Sequence, residues 1–175
     1  MNKATSIAAL ICIMASPAAM AAPAEVKFSG TIKTTTCTIS STGADLDVKL
    51  GDVAAENLVD DTPSEITPFP AGIELSCAGG ERVAIAFQSL AHDDAATGLL
   101  KTSSGTASGF MLGIYSAGGV QQKINGTPTA DSYVTAPTGA GTVKLDYKVA
   151  VVKTGGSSIV NGDFNASATI LVDQQ

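Results

Sequence analysis

Apolar residues recur at every second position in this chain, and no helical stripe of useful length accompanies them. Leu46, Val48 and Leu50 alternate, as do Ile73, Leu75 and Cys77, then Val83, Ile85 and Phe87, then Phe110, Leu112 and Ile114. Val143, Leu145, Tyr147, Val149 and Val151 form a longer run, and Phe164, Ala166, Ala168, Ile170 and Val172 close the chain in the same way. Side chains on an extended strand alternate between two faces, so each run buries one face and exposes the other. Turn formers separate the runs: Ala78-Gly79-Gly80, Gly118-Gly119, Asn125-Gly126, Gly155-Gly156 and Asn161-Gly162-Asp163. Short strands at this spacing predict an all-β protein, an antiparallel sandwich. Ala54 to Pro70 holds Asp60, Asp61 and several prolines and reads as a loop with room for one helical turn; Ala91 to Ser108 is similarly loop-like.

The first residues read as an export signal. Lys3 supplies a positive start, Ile7 to Met14 a short apolar stretch, and Ala19-Met20-Ala21 a small-residue cleavage motif. Residues 1–21 are therefore expected to be a signal peptide, removed before Ala22. The apolar stretch is too short to span a bilayer, so direct membrane insertion is not expected of the mature chain. Removal of Cys12 leaves Cys37 and Cys77, an even pair in an exported chain, which reads as one disulfide. Two cysteines and His92 do not make a zinc set, and no metal or cofactor is expected.

The formal charge is −6, and losing Lys3 takes it to −7. With no Lys/Arg cluster, no Trp and 5% aromatic residues, the chain lacks the basic footprint and the stacking platform that nucleic acid requires. No enzyme signature appears either. His92 sits in a polar loop and no G-x-S-x-G elbow is present. Asp45, Asp47 and Asp52, or Asp60 and Asp61, lack calcium-loop spacing and are explained by solvation. No catalytic residue is assigned.

Between the cleavage motif and Cys37 lies a further period-2 run: Ala24, Val26, Phe28, Gly30 and Ile32 share one face. Gly30 among bulkier neighbours marks a place where two backbones approach closely. From the residues alone, this segment is either the first strand of its own sheet or a strand that enters the groove of another chain.

Several of these pieces in order resemble the fimbrial (pilin) subunits of the bacterial chaperone–usher pathway, of the type 1 kind. They are Val26-Lys-Phe28-Ser-Gly30-Thr-Ile32 ahead of Cys37, Val48-Lys-Leu50-Gly51-Asp-Val53, Ile73-Glu-Leu75-Ser-Cys77, and Gly162-Asp-Phe-Asn-Ala-Ser-Ala168-Thr-Ile170-Leu-Val172-Asp-Gln-Gln175. The resemblance implies an immunoglobulin-like sandwich in residues 37–175 that lacks its last strand and is completed by a donor strand from another chain. Residues 22–36 would be the donor extension, with Ala24, Val26, Phe28, Gly30 and Ile32 as its inserting face. Ala166, Ala168, Ile170 and Val172 would line the acceptor groove, and the Gln175 carboxylate would anchor a periplasmic chaperone. Implied partners are neighbouring subunits, the chaperone and an outer-membrane usher, and the implied location is a surface fimbria that supports adhesion. Gln174 departs from the aromatic usual at that position, and an extension of fifteen residues resembles that of linker or tip subunits. The alternative is a self-contained secreted sandwich, for example glycan-binding, in which Val26 to Ile32 completes its own sheet.

Overall fold

The computed structural model describes residues 37–40, 46–64, 66–70, 72–90 and 93–175, and everything below concerns these. The expected donor face Ala24 to Ile32, the expected signal peptide and His92 lie outside them. In chain order the strands are β1 Cys37–Ile39, β2 Thr67–Pro68, β3 Ile73–Cys77, β4 Arg82–Gln88, β5 Asp93–Asp94, β6 Leu99–Leu100 and β7 Ser104–Gly105. There follow β8 Phe110–Ser116, β9 Gln121–Gln122, β10 Val134–Thr135, β11 Gly141–Leu145, β12 Tyr147–Lys153, β13 Phe164–Asn165 and β14 Thr169–Gln174. Two single 3-10 turns, Ala55–Asn57 and Ala130–Ser132, are the helical elements among the described residues.

The strand-to-strand pairings are antiparallel and build a β-sandwich. One sheet runs β1-β3-β11, a second β10-β4-β14, and the largest β2-β12-β8-β6-β5 with β9 also on β8. Between them the alternating residues of β3, β4, β8, β11 and β12 form the core, with Ile73, Leu75, Val83 and Ile85 wholly buried. Phe87 meets Tyr147 edge-on at 5.0 Å and Phe69 at 6.3 Å, so three aromatics from three stretches of chain share the centre. The Tyr147 hydroxyl accepts a hydrogen bond from the Ile85 backbone N–H at 3.1 Å, which satisfies a polar group inside that apolar setting. Burial raises the Tyr147 pKa above its ordinary value.

Cys37 and Cys77 stand opposite each other in the β1–β3 register and form a disulfide closing a separation of 40 residues. In a chain-entropy account, a loop of that length is worth about 4 kcal/mol. On β8, Gly113 is required by close approach, because the Tyr115 ring lies where a side chain at 113 would project.

Two expected strands are each divided. Val143 to Val151 does not form one strand: the chain leaves β11 at exposed Asp146 and enters another sheet as β12, keeping the apolar phase while changing partners. Phe164 to Val172 splits into β13, which pairs β7, and β14, which pairs β4, with 166–168 between them. The expected turn within 54–70 is present at Ala55–Asn57, whereas 91–108 contains three two-residue strands and is more ordered than its composition implies.

Candidate functional site

Among the described residues, the sandwich is open beside the last strand. A groove of about 1720 Å³ runs between residues 46–53 on one side and 159–170 on the other. Its floor is core: Phe69, Phe87, Leu100, Leu112, Ile114 and Val149 all reach it.

The first wall follows from alternation. Leu46, Val48, Leu50 and Val53 are half-buried and pack on the core, while Asp47, Lys49 and Asp52 are exposed. Yet the backbone of 46–53 makes no hydrogen bond with another described residue. The side chains of this stretch are in place, and its main-chain donors and acceptors pair with no described strand.

The second wall is the end of the chain. β13 is held against β7, where Phe164 lies opposite Gly105 and a side chain at 105 would collide with the Asp163 and Phe164 backbone. Phe164 meets Phe110 edge-on at 4.8 Å, which fixes the upper part of this wall to the floor. Among the described strands, β14 lies at the border of its sheet, paired with β4. Ile170 and Val172 are half-buried and Leu171 points outward at 44% exposure, so the apolar phase of β14 is turned inward. A border strand with its apolar face lining an uncovered groove is an aggregation hazard unless another chain lies over it.

Of the acceptor residues expected from sequence, Ala166, Ala168 and Ile170 line the groove. Val172 packs on the core just beyond its lining. Gln175 continues the strand pairing: its N–H donates to the Arg82 carbonyl at 2.9 Å and its carbonyl accepts from the Arg82 N–H at 3.2 Å. Close by, the Tyr133 hydroxyl donates to the Asp173 carboxylate at 2.6 Å, and the Arg82 guanidinium lies 5.3 Å from the Tyr133 ring centre. Desolvation, reinforced by the bond to Asp173 and its charge, pushes the Tyr133 pKa up to about 12, so the phenol stays a donor at any physiological pH.

Sequence reasoning found one wall and missed the other. The alternation of Leu46, Val48 and Leu50 was legible, but nothing in a period-2 pattern says that a strand lacks a partner. Among the described residues, no group of three or more His, Cys, Asp or Glu side chains gathers as a metal site would, and no helix is long and apolar enough to cross a membrane.

Residues 26–175 match the Fimbrial protein family. The chain belongs to that family and is a fimbrial subunit. It is 28% identical over 162 residues to the F17 fimbrial protein of Escherichia coli, covering 89% of this chain and 90% of that protein. In fold it resembles the P pilus rod subunit PapA, with a TM-score of 0.61 and 24% identity over 80% of this chain and 99% of the other. It also resembles a chain from a chaperone–usher pilus studied for rod uncoiling, with a TM-score of 0.58 and 22% identity over 91% and 100% of the two chains. The fimbrial resemblance of the sequence and the all-β, immunoglobulin-like sandwich expected from it both stand. So does the surface fimbria as the place where the protein works.

Proposed function

We propose that the groove of this fimbrial subunit receives residues 22–36 of another subunit, so that the polymer grows by strand exchange. The observation that carries this reading is a groove of about 1720 Å³ with an apolar floor, bordered by an extended segment and by a strand edge that pair with no further described residue on the groove side. An inserted strand would complete main-chain pairing on each side, and its alternate side chains would fill the apolar space. Ala24, Val26, Phe28, Gly30 and Ile32 are the inserting face, and Ala166, Ala168, Ile170 and Val172 the receiving one. If each inserted side chain buries about half its area, the hydrophobic contribution is on the order of 5 kcal/mol before backbone pairing.

Before assembly the same groove needs cover, which a periplasmic chaperone would supply by lending a strand, with the Gln175 carboxylate meeting basic residues of that partner. Hand-over at an outer-membrane usher then delivers the subunit to a fibre that supports adhesion. The work is structural, and no turnover chemistry is assigned to any residue. The test is Gly30→Arg: subunits should accumulate with the chaperone yet fail to add to one another. Normal polymer from that variant would remove the donor assignment and return the chain to the self-contained binding module.

A further inference from the structure

An asparagine followed by glycine is open to attack by its own backbone, because the glycine amide nitrogen has no neighbouring side chain to shield it. Ring closure onto that nitrogen requires a free asparagine side chain and a free glycine N–H. The sequence holds two such pairs, Asn125-Gly126 and Asn161-Gly162. Both asparagines are exposed, so exposure does not separate them, but their hydrogen bonding does.

At the first pair every group that the reaction needs is engaged. The Asn125 side-chain oxygen accepts from the Ser89 N–H at 3.0 Å and its amide nitrogen donates to the Ser89 carbonyl at 2.8 Å, so the side chain extends the pairing at the end of β4. The Gly126 N–H donates to the Lys123 carbonyl at 3.1 Å. At the second pair, neither the Asn161 side chain nor the Gly162 N–H forms a hydrogen bond among the described residues. Asn161 and Gly162 arch between two fixed points. On one side Val160 and Ser108 exchange backbone hydrogen bonds at 3.0 and 3.1 Å; on the other the Asp163 carbonyl accepts from the Thr106 and Ala107 N–H groups at 2.9 and 3.1 Å. A side chain at 162 would collide with Thr106, so the fold itself requires glycine after Asn161.

We propose that Asn161 is a site of spontaneous deamidation and that its conversion impairs the groove; the second part rests on the reading of the groove as the acceptor of residues 22–36. The Gly162 nitrogen, giving up its proton, bonds to the side-chain carbonyl carbon of Asn161. The bond from that carbon to the side-chain nitrogen breaks, and the nitrogen leaves with the proton as ammonia. Water then opens the resulting succinimide at either carbonyl, giving aspartate or, where the main chain now runs through the side-chain carbon, isoaspartate. Either product adds a carboxylate close to Asp163 in a chain whose formal charge is already −6. Isoaspartate also lengthens the main chain by one carbon between the two fixed points, so one of them must give. Asn161, Gly162 and Asp163 line the groove, and the change therefore falls on a wall that an inserted strand must meet.

The experiment incubates the full chain in mildly alkaline buffer and follows two readouts: conversion at each asparagine by peptide mapping with mass spectrometry, and uptake of a synthetic 22–36 peptide. Conversion at Asn161 should run at least about tenfold faster than at Asn125, where the reactive geometry is reached only by breaking three hydrogen bonds. In denaturant the two sites should react at similar rates. Peptide uptake should fall in step with conversion at 161. Asn161→Gln, whose longer side chain closes its ring slowly, should keep both its mass and its uptake through the same incubation. Equal rates at the two sites in the folded chain, or no conversion at 161 where the denatured chain reacts, overturns the modification site. Full conversion with uptake unchanged overturns its effect on the groove. Failure of the fresh chain to take up the peptide would instead sink the groove reading and leave the chemistry at Asn161 standing.

Discussion

Leu75 on β3 and Ile170 on β14 occupy the same kind of position in the sequence, an apolar residue in a period-2 run, and meet opposite fates. Leu75 is wholly buried, on a strand bonded on both sides by β1 and β11. Ile170 stays half-exposed, on a strand bonded on one side by β4. The difference teaches that alternation reports which face of a strand is apolar and says nothing of whose chain will cover it. One region of the molecule is closed on both sides by its own strands. The other leaves the same chemistry open on one side among the described residues.

The comparison breaks most readily at the disulfide. Replacing Cys37 and Cys77 by Ser should cost about 2–5 kcal/mol in urea unfolding and lower subunit yield in an oxidising compartment. An unchanged midpoint would mean that the closed region does not depend on the link. Leu75→Ala should come next, at about 3 kcal/mol, through lost burial plus a cavity. Ile170→Ala should cost the isolated subunit about 1 kcal/mol or less while weakening its uptake of the 22–36 peptide, and equal costs at 75 and 170 would erase the distinction between the regions. Tyr147→Phe leaves the buried Ile85 N–H without its acceptor and should cost about 1–2 kcal/mol by thermal unfolding, with peptide uptake little changed.

The smallest effect concerns pH. The hydrogen bond from Lys153, then that from the Gly156 N–H, holds the Asp60 carboxyl below its ordinary value. A carboxylate depressed in the folded state contributes stability above its unfolded pKa and loses it as pH falls through the folded one. Asp60 is exposed, so solvent screens most of this. Acidification below about pH 4 should loosen the 59–64 strap before the sheets, seen as faster amide exchange at Asp61 and Ser64, whose N–H groups bond to β12 carbonyls. Asp60→Asn should bring that change to neutral pH.

Much of the architecture was legible because burial imposes a period. The runs at Ile73–Cys77, Val83–Phe87 and Phe110–Ile114 all became strands in the phase their residues implied. The failures share one physical origin, that partner choice is non-local. Nothing in Val143 to Val151 marks Asp146 as the point where the strand changes sheets, because both halves bury the same face. Leu99 and Leu100 are adjacent and both buried, so β6 has no alternation to find. For the site, Ala166, Ala168 and Ile170 were readable as one apolar face, whereas the alternation from Leu46 to Leu50 predicted a strand and the structure has an extended segment there that pairs with no described strand.

The central claim is that this sandwich is one strand short, and the most direct measurement is thermal unfolding of two rearranged chains. One lacks residues 22–36; the other carries them after Gln175 on a linker of about four residues, short enough to admit only an antiparallel return along the groove. A rise in midpoint of ten degrees or more on appending the strand, on the order expected for a few kcal/mol in a domain of this size, is the predicted result. Equal midpoints, with the truncated chain already monomeric and resistant to heat, would show a sandwich complete in itself and contradict the account.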